Sequence, residues 1–456
     1  MIQKSDRTAK RRKRHTKANA LLLQGPVGPF FSRIGKDLDS RGFTVFKINF
    51  NGGDRLFYRN QGAFDYTGNV QNWGVYLERF IQNKGITRVY LFGDCRIYHR
   101  IAKQVAARLN VRVFVFEEGY IRPNFITLEE GGVNGHSSMM RTAIQYEDSS
   151  ESTAEATIRN HGFAISATFS MVYYLACAWH RRLFSEYKHH RPLGWLQEGG
   201  LWIRSTLRKL LYRRRDNRIY QELLSQFDGS YFLCPLQVHC DMQVLVHSKF
   251  NSIEHFVGEV LQSFVENAPP DTAIVFKHHP LDRGYTDYSL LLNNLICELG
   301  LDGRVFYVHD VCLPSLLRNA CGSVMINSTV GMSSLFHGTP VKVLGDAIYD
   351  RPELTCQLSL DQFWSSPGEV DKQAFERFRS FLIANNQLNG SLYLKLHDSG
   401  HSGVCWSDKL KQQHSAEADI VGKLGKLPKL RLVAGVDVIG AAPSVEADQA
   451  GPRKAA

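Results

Sequence analysis

The chain has 456 residues, 43% of them hydrophobic and 11% aromatic, with a formal net charge of +11. That length exceeds one ordinary core and predicts two domains, and the apolar content excludes a chain disordered throughout. No apolar stretch reaches the roughly 18 residues of a membrane-spanning helix, and the N-terminal MIQKSDRTAKRRKRHTK lacks the apolar core of a secretory signal.

From Ala20 onward, short apolar runs alternate with amphipathic ones. Strands are expected at Ala20–Leu23, Thr44–Phe50, Arg88–Phe92 and Arg112–Phe116, and helices at Pro29–Ser40, Gln71–Lys84 and Ile97–Leu109. A second series has strands at Tyr231–Cys234, Ala273–Phe276, Arg304–Val308, Ser323–Ile326 and Val341–Leu344. Its helices are Ile253–Glu266 (capped by Asn251 or Ser252), Ser289–Leu299, Leu313–Asn319 and Met332–His337. Apolar strands alternating with helices are the mark of a parallel sheet covered on both faces, so the class is α/β, with two Rossmann-type halves. The expected parts are a basic tail (1–19), a first Rossmann-like domain (20–150), a basic, aromatic helical insertion (151–225), a second Rossmann-like domain (226–372), returning helices (373–407) and a flexible tail (408–456).

The positive charge is local. Residues 1–17 hold a net +7 and residues 180–218 a net +8, which leaves −4 for the rest. A nucleic-acid enzyme spreads positive charge along its working cleft, so no nucleic acid is expected. Two cationic patches, one flanked by the apolar run Phe169–Trp179 and by Trp195 and Trp202, suit an anionic membrane surface; a helical pair that packs on the core and solvates its charges is the plainer alternative. The nine cysteines form no CxxC pair. Reduced thiols, each a small buried hydrophobe, are expected, with neither a disulfide scaffold nor a zinc site.

The unusual residues sit just after the strands, at the edge where open α/β sheets bind ligands. In the first half these are Gln24-Gly25-Pro26, Asn51-Gly52-Gly53-Asp54, Gly93-Asp94, and the stretch EEGYIRPNFITLE with Glu117, Glu118 and Arg122. In the second half, PLQVHCD places Asp241 four residues beyond Gln237, as a nucleophile steadied by an amide or as an ordinary Asx turn or helix cap. Lys277-His278-His279-Pro280 follows another strand. Adjacent side chains point opposite ways, so one imidazole is structural and His279 is taken as the phosphate binder. Asn327, Ser328, Thr329 and Gly331 form a strand-to-helix turn suited to an anion. No P-loop, dinucleotide fingerprint or DxD-like pair is present, so no metal or other cofactor is expected, and a glycosyl donor whose phosphate meets protein cations is favoured. Two carboxyl groups facing one another suit chemistry at an anomeric carbon. Arg122 either steers an anionic acceptor or sugar carboxylate, or pairs with Glu118 or Glu129.

These stretches, together with LLLQGPVGPFF, FNGGD, VFKHHPLDRG and INSTVGMSSLFHGTPVKVLG, resemble the capsule polysaccharide synthesis family of β-Kdo glycosyltransferases of Gram-negative bacteria. The resemblance implies a GT-B arrangement, CMP-Kdo as donor, retention of β configuration, and a lyso-phosphatidylglycerol or phosphatidylglycerol acceptor at the cytoplasmic face of the inner membrane. It implies Asp241 as nucleophile oriented by Gln237, and Glu117, more than Glu118, as acid/base. Lys277 and His279, beside Pro280, then hold the CMP phosphate, with Asn327, Ser328, Thr329 and Gly331 completing the nucleotide site. Gln24, Gly25 and Arg122 meet acceptor or sugar. A second Kdo transferase and the capsule exporter are the implied partners. The alternatives are a non-catalytic nucleotide-binding scaffold of the export machinery and an inverting transferase with a UDP donor.

Overall fold

Apolar runs become strands wherever both faces of the run are covered, and the second lobe shows this most plainly, since all five residues of YFLCP and of AIVFK are buried. The computed structural model describes residues 18–141, 162–188, 195–396 and 399–415. Residues 1–17, which hold the first cationic patch, and residues 416–456 lie outside the described residues.

The first lobe contains β1 (Asn19–Leu22), β2 (Thr44–Asn49), β3 (Ala63–Asp65), β4 (Ile86–Phe92), β5 (Arg112–Glu118) and β6 (Phe125–Glu130). The second contains β7 (Tyr231–Pro235), β8 (Ala273–Lys277), β9 (Val305–Val308), β10 (Gly322–Met325) and β11 (Val341–Val343). β12 (Gln387–Gly390) and β13 (Val404–Cys405) follow. The first sheet has the order β13-β12-β6-β5-β4-β1-β2-β3 and the second β11-β10-β7-β8-β9. Both therefore contain one arrangement of five parallel strands, in which the order reverses beside the first strand of the series. That reversal opens a crevice between β1 and β4 in one lobe and between β7 and β10 in the other, the place where such sheets take ligands. Two Rossmann-type lobes facing a cleft is the GT-B-like arrangement.

Three expectations change. The chain beyond residue 372 does not return as helices alone. After the helix Lys372–Asn385, β12 pairs antiparallel with β6, and β13 with β12, extending the first sheet. Residues 408–415 are not a loose tail. Ser407 caps the helix Asp408–Gln413, and His414 is buried, 2.9 Å from the Tyr90 hydroxyl. Of the nine free cysteines, only Cys95 and Cys234 are buried, and Cys240, Cys297, Cys312 and Cys405 are exposed.

The insertion contributes two helices, Gly162–Trp179 and Trp195–Phe227, each docked on a different lobe. Glycines admit the first: a Cβ at Gly53 lies 2.2 Å from the Tyr173 ring and one at Gly52 2.1 Å from the Ala176 carbonyl oxygen. FNGGD thus seats a helix rather than a ligand. The second helix spends arginines inward: Arg204 donates to the Gly284 and Tyr285 carbonyls, and Arg208 to those of Arg283 and Thr286. Asp216 accepts from the backbone N–H groups of His309 and Asp310. Part of the second cationic patch is therefore lobe packing.

Candidate active site

The two crevices open into one cleft of about 630 Å³. Gln24, Glu117, Glu118 and Arg122 line it from the first lobe, and Gln237, Asp241, His279, Asn327, Ser328 and Thr329 from the second.

Glu117 ends β5. Its Oε1 accepts from the Glu118 N–H at 3.0 Å, and Gly93, left-handed at φ +68°, turns the chain beside its Oε2. Burial pushes the Glu117 carboxyl up to about 7, while the Glu118 amide, Arg96 and Arg122 pull the other way. Glu118 is exposed and bound by Arg122 at 2.7 Å. Arg122 therefore pairs with Glu118 while it lines the cleft. Glu129 is engaged elsewhere, by Tyr120 and Ser137.

Asp241 is the N-cap of the short helix Met242–Val246: Oδ1 accepts from the Gln243 N–H at 2.9 Å. Its other oxygen accepts from Gln237 Nε2 at 3.1 Å. Gln237 also donates to Asn327 Oδ1 and accepts from the Asn327 N–H, and Asn327 Nδ2 reaches the Gln243 and His247 carbonyls. The cap and the cleft-facing carboxylate are one group, held in place from the ends of β7 and β10.

His279 lines the cleft. Its Nδ1 accepts from the Leu281 N–H at 3.2 Å, so the neutral ring carries its proton on Nε2 and offers a donor. Burial lowers its pKa to about 4, which keeps the ring neutral at pH 7. His278 is buried, with Nδ1 2.6 Å from the Tyr307 hydroxyl.

The structure leaves four expected binders off the cleft lining. Lys277 is buried, its Nζ 3.2 Å from the His309 carbonyl, and desolvation lowers its pKa. Gly331 sits under Tyr349, which donates to the Ser328 carbonyl, so the glycine shapes the turn from behind. Pro280 is exposed outside the lining, and Gly25 packs on Phe31. The Ser-Thr turn also differs from a free anion seat. Val330 N–H donates to Ser328 Oγ, Gly331 N–H to the Ser328 carbonyl and Met332 N–H to the Thr329 carbonyl, while Thr329 makes no side-chain cap bond. Hydroxyls, more than amides, are what this turn can offer. Gln24 spends Nε2 on Tyr187 at 2.8 Å and Tyr173 at 3.2 Å, leaving its amide oxygen for a ligand.

Sequence reasoning passed over Arg96, Arg100 and Lys188, which add positive charge to the cleft, and Tyr98 and Tyr187, which line it. Arg96 and Arg100 stand one turn apart at the start of the helix Ile97–Arg108, directly after Gly93-Asp94. That strand-end position was the available signal.

Residues 87–393 match the family described as "Capsule polysaccharide biosynthesis protein". The chain is 39% identical over 381 residues to "Capsule polysaccharide export protein KpsS" of Escherichia coli, covering 82% of this chain and 96% of that one. It is 41% identical over 383 residues to "Capsule polysaccharide modification protein LipB" of Neisseria meningitidis serogroup A, covering 82% and 91%. Among solved structures it aligns with the Thermosulfurimonas dismutans "KpsC, beta Kdo 2,7 transferase" at 15% identity and a TM-score of 0.40, over 89% of this chain and 98% of that one. By the family match and by these identities, the chain belongs to the capsule polysaccharide biosynthesis family.

Proposed function

We propose that the protein is a retaining glycosyltransferase that moves β-Kdo from CMP-Kdo to a lyso-phosphatidylglycerol or phosphatidylglycerol acceptor, starting the poly-Kdo linker of a capsule. The observation that carries this reading is the meeting of Glu117 and Asp241, from opposite lobes, on one cleft. In the first step Asp241 Oδ attacks the anomeric carbon, and the C–O bond to CMP breaks with its electrons on the phosphate. The CMP phosphate needs no proton to leave, and in this reading His279 and the Ser328 and Thr329 hydroxyls, all on the cleft lining, receive it. In the second step an acceptor hydroxyl displaces Asp241 while Glu117 takes its proton. Two inversions give retention.

A lipid-linked acceptor fits the insertion. Met171, Leu175 and Trp179 lie four residues apart on one helix, with Trp179 87% exposed. On the other helix Ile203, Leu207, Leu210 and Leu211 form an exposed stripe that continues into exposed Arg214 and Arg218. None of the described helices is long and apolar enough to cross a membrane. Apolar stripes ending in arginines suit a helix lying at the lipid interface.

The test is to incubate the protein with CMP-Kdo and a fluorescent lyso-phosphatidylglycerol and weigh the product. A gain of Kdo mass is expected, with CMP but not UMP competing. An unchanged acceptor mass beside an active control enzyme refutes the transferase. Asp241→Ala separates it from a nucleotide-binding scaffold, because a scaffold keeps supporting capsule export in cells and the transferase does not.

A further inference from the structure

We infer that the seam between the lobes carries a binding site for a soft divalent cation of the zinc class, built by Cys95, His136 and His247. The three residues come from separate segments: Cys95 follows β4, His136 ends the single turn Asn134–His136, and His247 closes the helix that Asp241 opens. One ligand atom from each lies within 4.8 Å of the other two. With bonds of about 2.3 Å to sulfur and about 2.0 Å to nitrogen, tetrahedral geometry sets sulfur and nitrogen about 3.5 Å apart. Cys95 Sγ and His247 Nε2 are 3.8 Å apart. A thiol and two imidazoles are the ligand types a zinc-like ion prefers.

The surroundings are built for this convergence. A Cβ at Gly135 lies 2.3 Å from His247 Nδ1, and one at Gly132 lies 2.7 Å from His136 Cβ, so only glycine lets these rings approach. Gly135 backs the Nδ1 edge of His247 while Nε2 is the atom near Cys95. Asp94 Oδ2 holds His136 Nδ1 at 3.0 Å, the carboxylate–histidine pairing that orients metal ligands from behind. Lys103, 2.6 Å from the same oxygen, neutralises Asp94, which therefore serves as an orienting group and not as a fourth ligand. His136 is exposed and gives an ion a way in, whereas His247 is buried. Binding transfers the Cys95 thiol proton to solvent and leaves the imidazoles neutral. A bound ion ties the Asp241 helix to the first lobe and fixes one edge of the cleft. The inference does not depend on the transferase reading.

Reduced, metal-stripped full-length protein is titrated with Co²⁺ and then Zn²⁺. A single equivalent of Co²⁺ should give a thiolate-to-cobalt charge-transfer band that Zn²⁺ abolishes, and Zn²⁺ should raise the melting temperature. Cys95→Ser should remove the band. His136→Gln, at an exposed position and with an unchanged circular dichroism spectrum, should weaken Zn²⁺ binding at least about tenfold, and Asp94→Asn about 10–100-fold. Absence of the band overturns the site. So does a band that persists in the Cys95→Ser, His136→Gln double variant, which assigns the metal to exposed thiols such as Cys240.

Discussion

The two carboxylates that meet in the cleft live in opposite surroundings. Glu117 receives one backbone amide and is desolvated enough to keep its proton up to about 7. Asp241 receives two N–H donors on separate oxygens, and one of those donors is itself anchored by Asn327. The first environment suits a group that must gain and lose a proton near neutrality. The second suits a group that must stay put and point. The difference fits the proposed roles, Glu117 as acid/base and Asp241 as nucleophile.

The largest effect should come from breaking the fixed side. Asp241→Ala should lower transfer at least about 10³-fold. It removes both a nucleophile and a cap, so its melting curve should be measured alongside. Glu117→Gln should cost about 10²–10⁴-fold in steady-state transfer. Because the departing phosphate needs no acid, this variant should still release CMP in a single turnover. Loss of that first turnover as well puts Glu117 in the wrong step.

The pH dependence sharpens the contrast. Transfer should rise with pH through about 7 as Glu117 becomes the base, and this limb should vanish in Glu117→Gln. Stability should run the other way. A carboxyl raised in the folded state contributes fully below its unfolded value and loses that contribution as pH climbs through about 7. Glu117→Gln should therefore melt above the wild type at pH 8 and match it near pH 4.

Gln237→Ala should lower transfer about 10–100-fold, the worth of one hydrogen bond to a charged group, with little change in CMP affinity. An equal loss in CMP affinity makes Gln237 a nucleotide ligand instead. The smallest effect concerns the insertion. Leu210→Asp with Leu211→Asp should weaken flotation with phosphatidylglycerol vesicles about tenfold or more while leaving transfer to a short-chain soluble acceptor intact. Unchanged flotation removes this helix from the membrane contact.

Legibility in the sequence followed burial on both faces. The parallel strands other than β3 were readable because their apolar runs are largely covered above and below, whereas β3 (AFD), at the sheet edge and partly exposed, was not. β6 (FITLEE) and β12 (QLNG) were not, because their polar residues are buried against partners that the local pattern does not reveal: Glu129 by Tyr120, and Gln387 by Thr127 from the strand it pairs with 260 residues away. The site divides in the same way. Strand-end position pointed to Glu117, Asp241 and His279, all on the cleft. It also pointed to Lys277, whose side chain turns inward to the His309 carbonyl, a choice fixed by β9 and invisible in KHHP. Arg96 escaped notice because an arginine opening an amphipathic helix looks like ordinary surface.

The division of labour itself is tested most directly by intact-protein mass spectrometry of Glu117→Gln after mixing with CMP-Kdo alone. A Kdo adduct that maps to Asp241 is expected, with stoichiometric CMP released and no adduct in the Asp241→Ala, Glu117→Gln double variant. An adduct on another side chain, or CMP release without any adduct on Asp241, contradicts it.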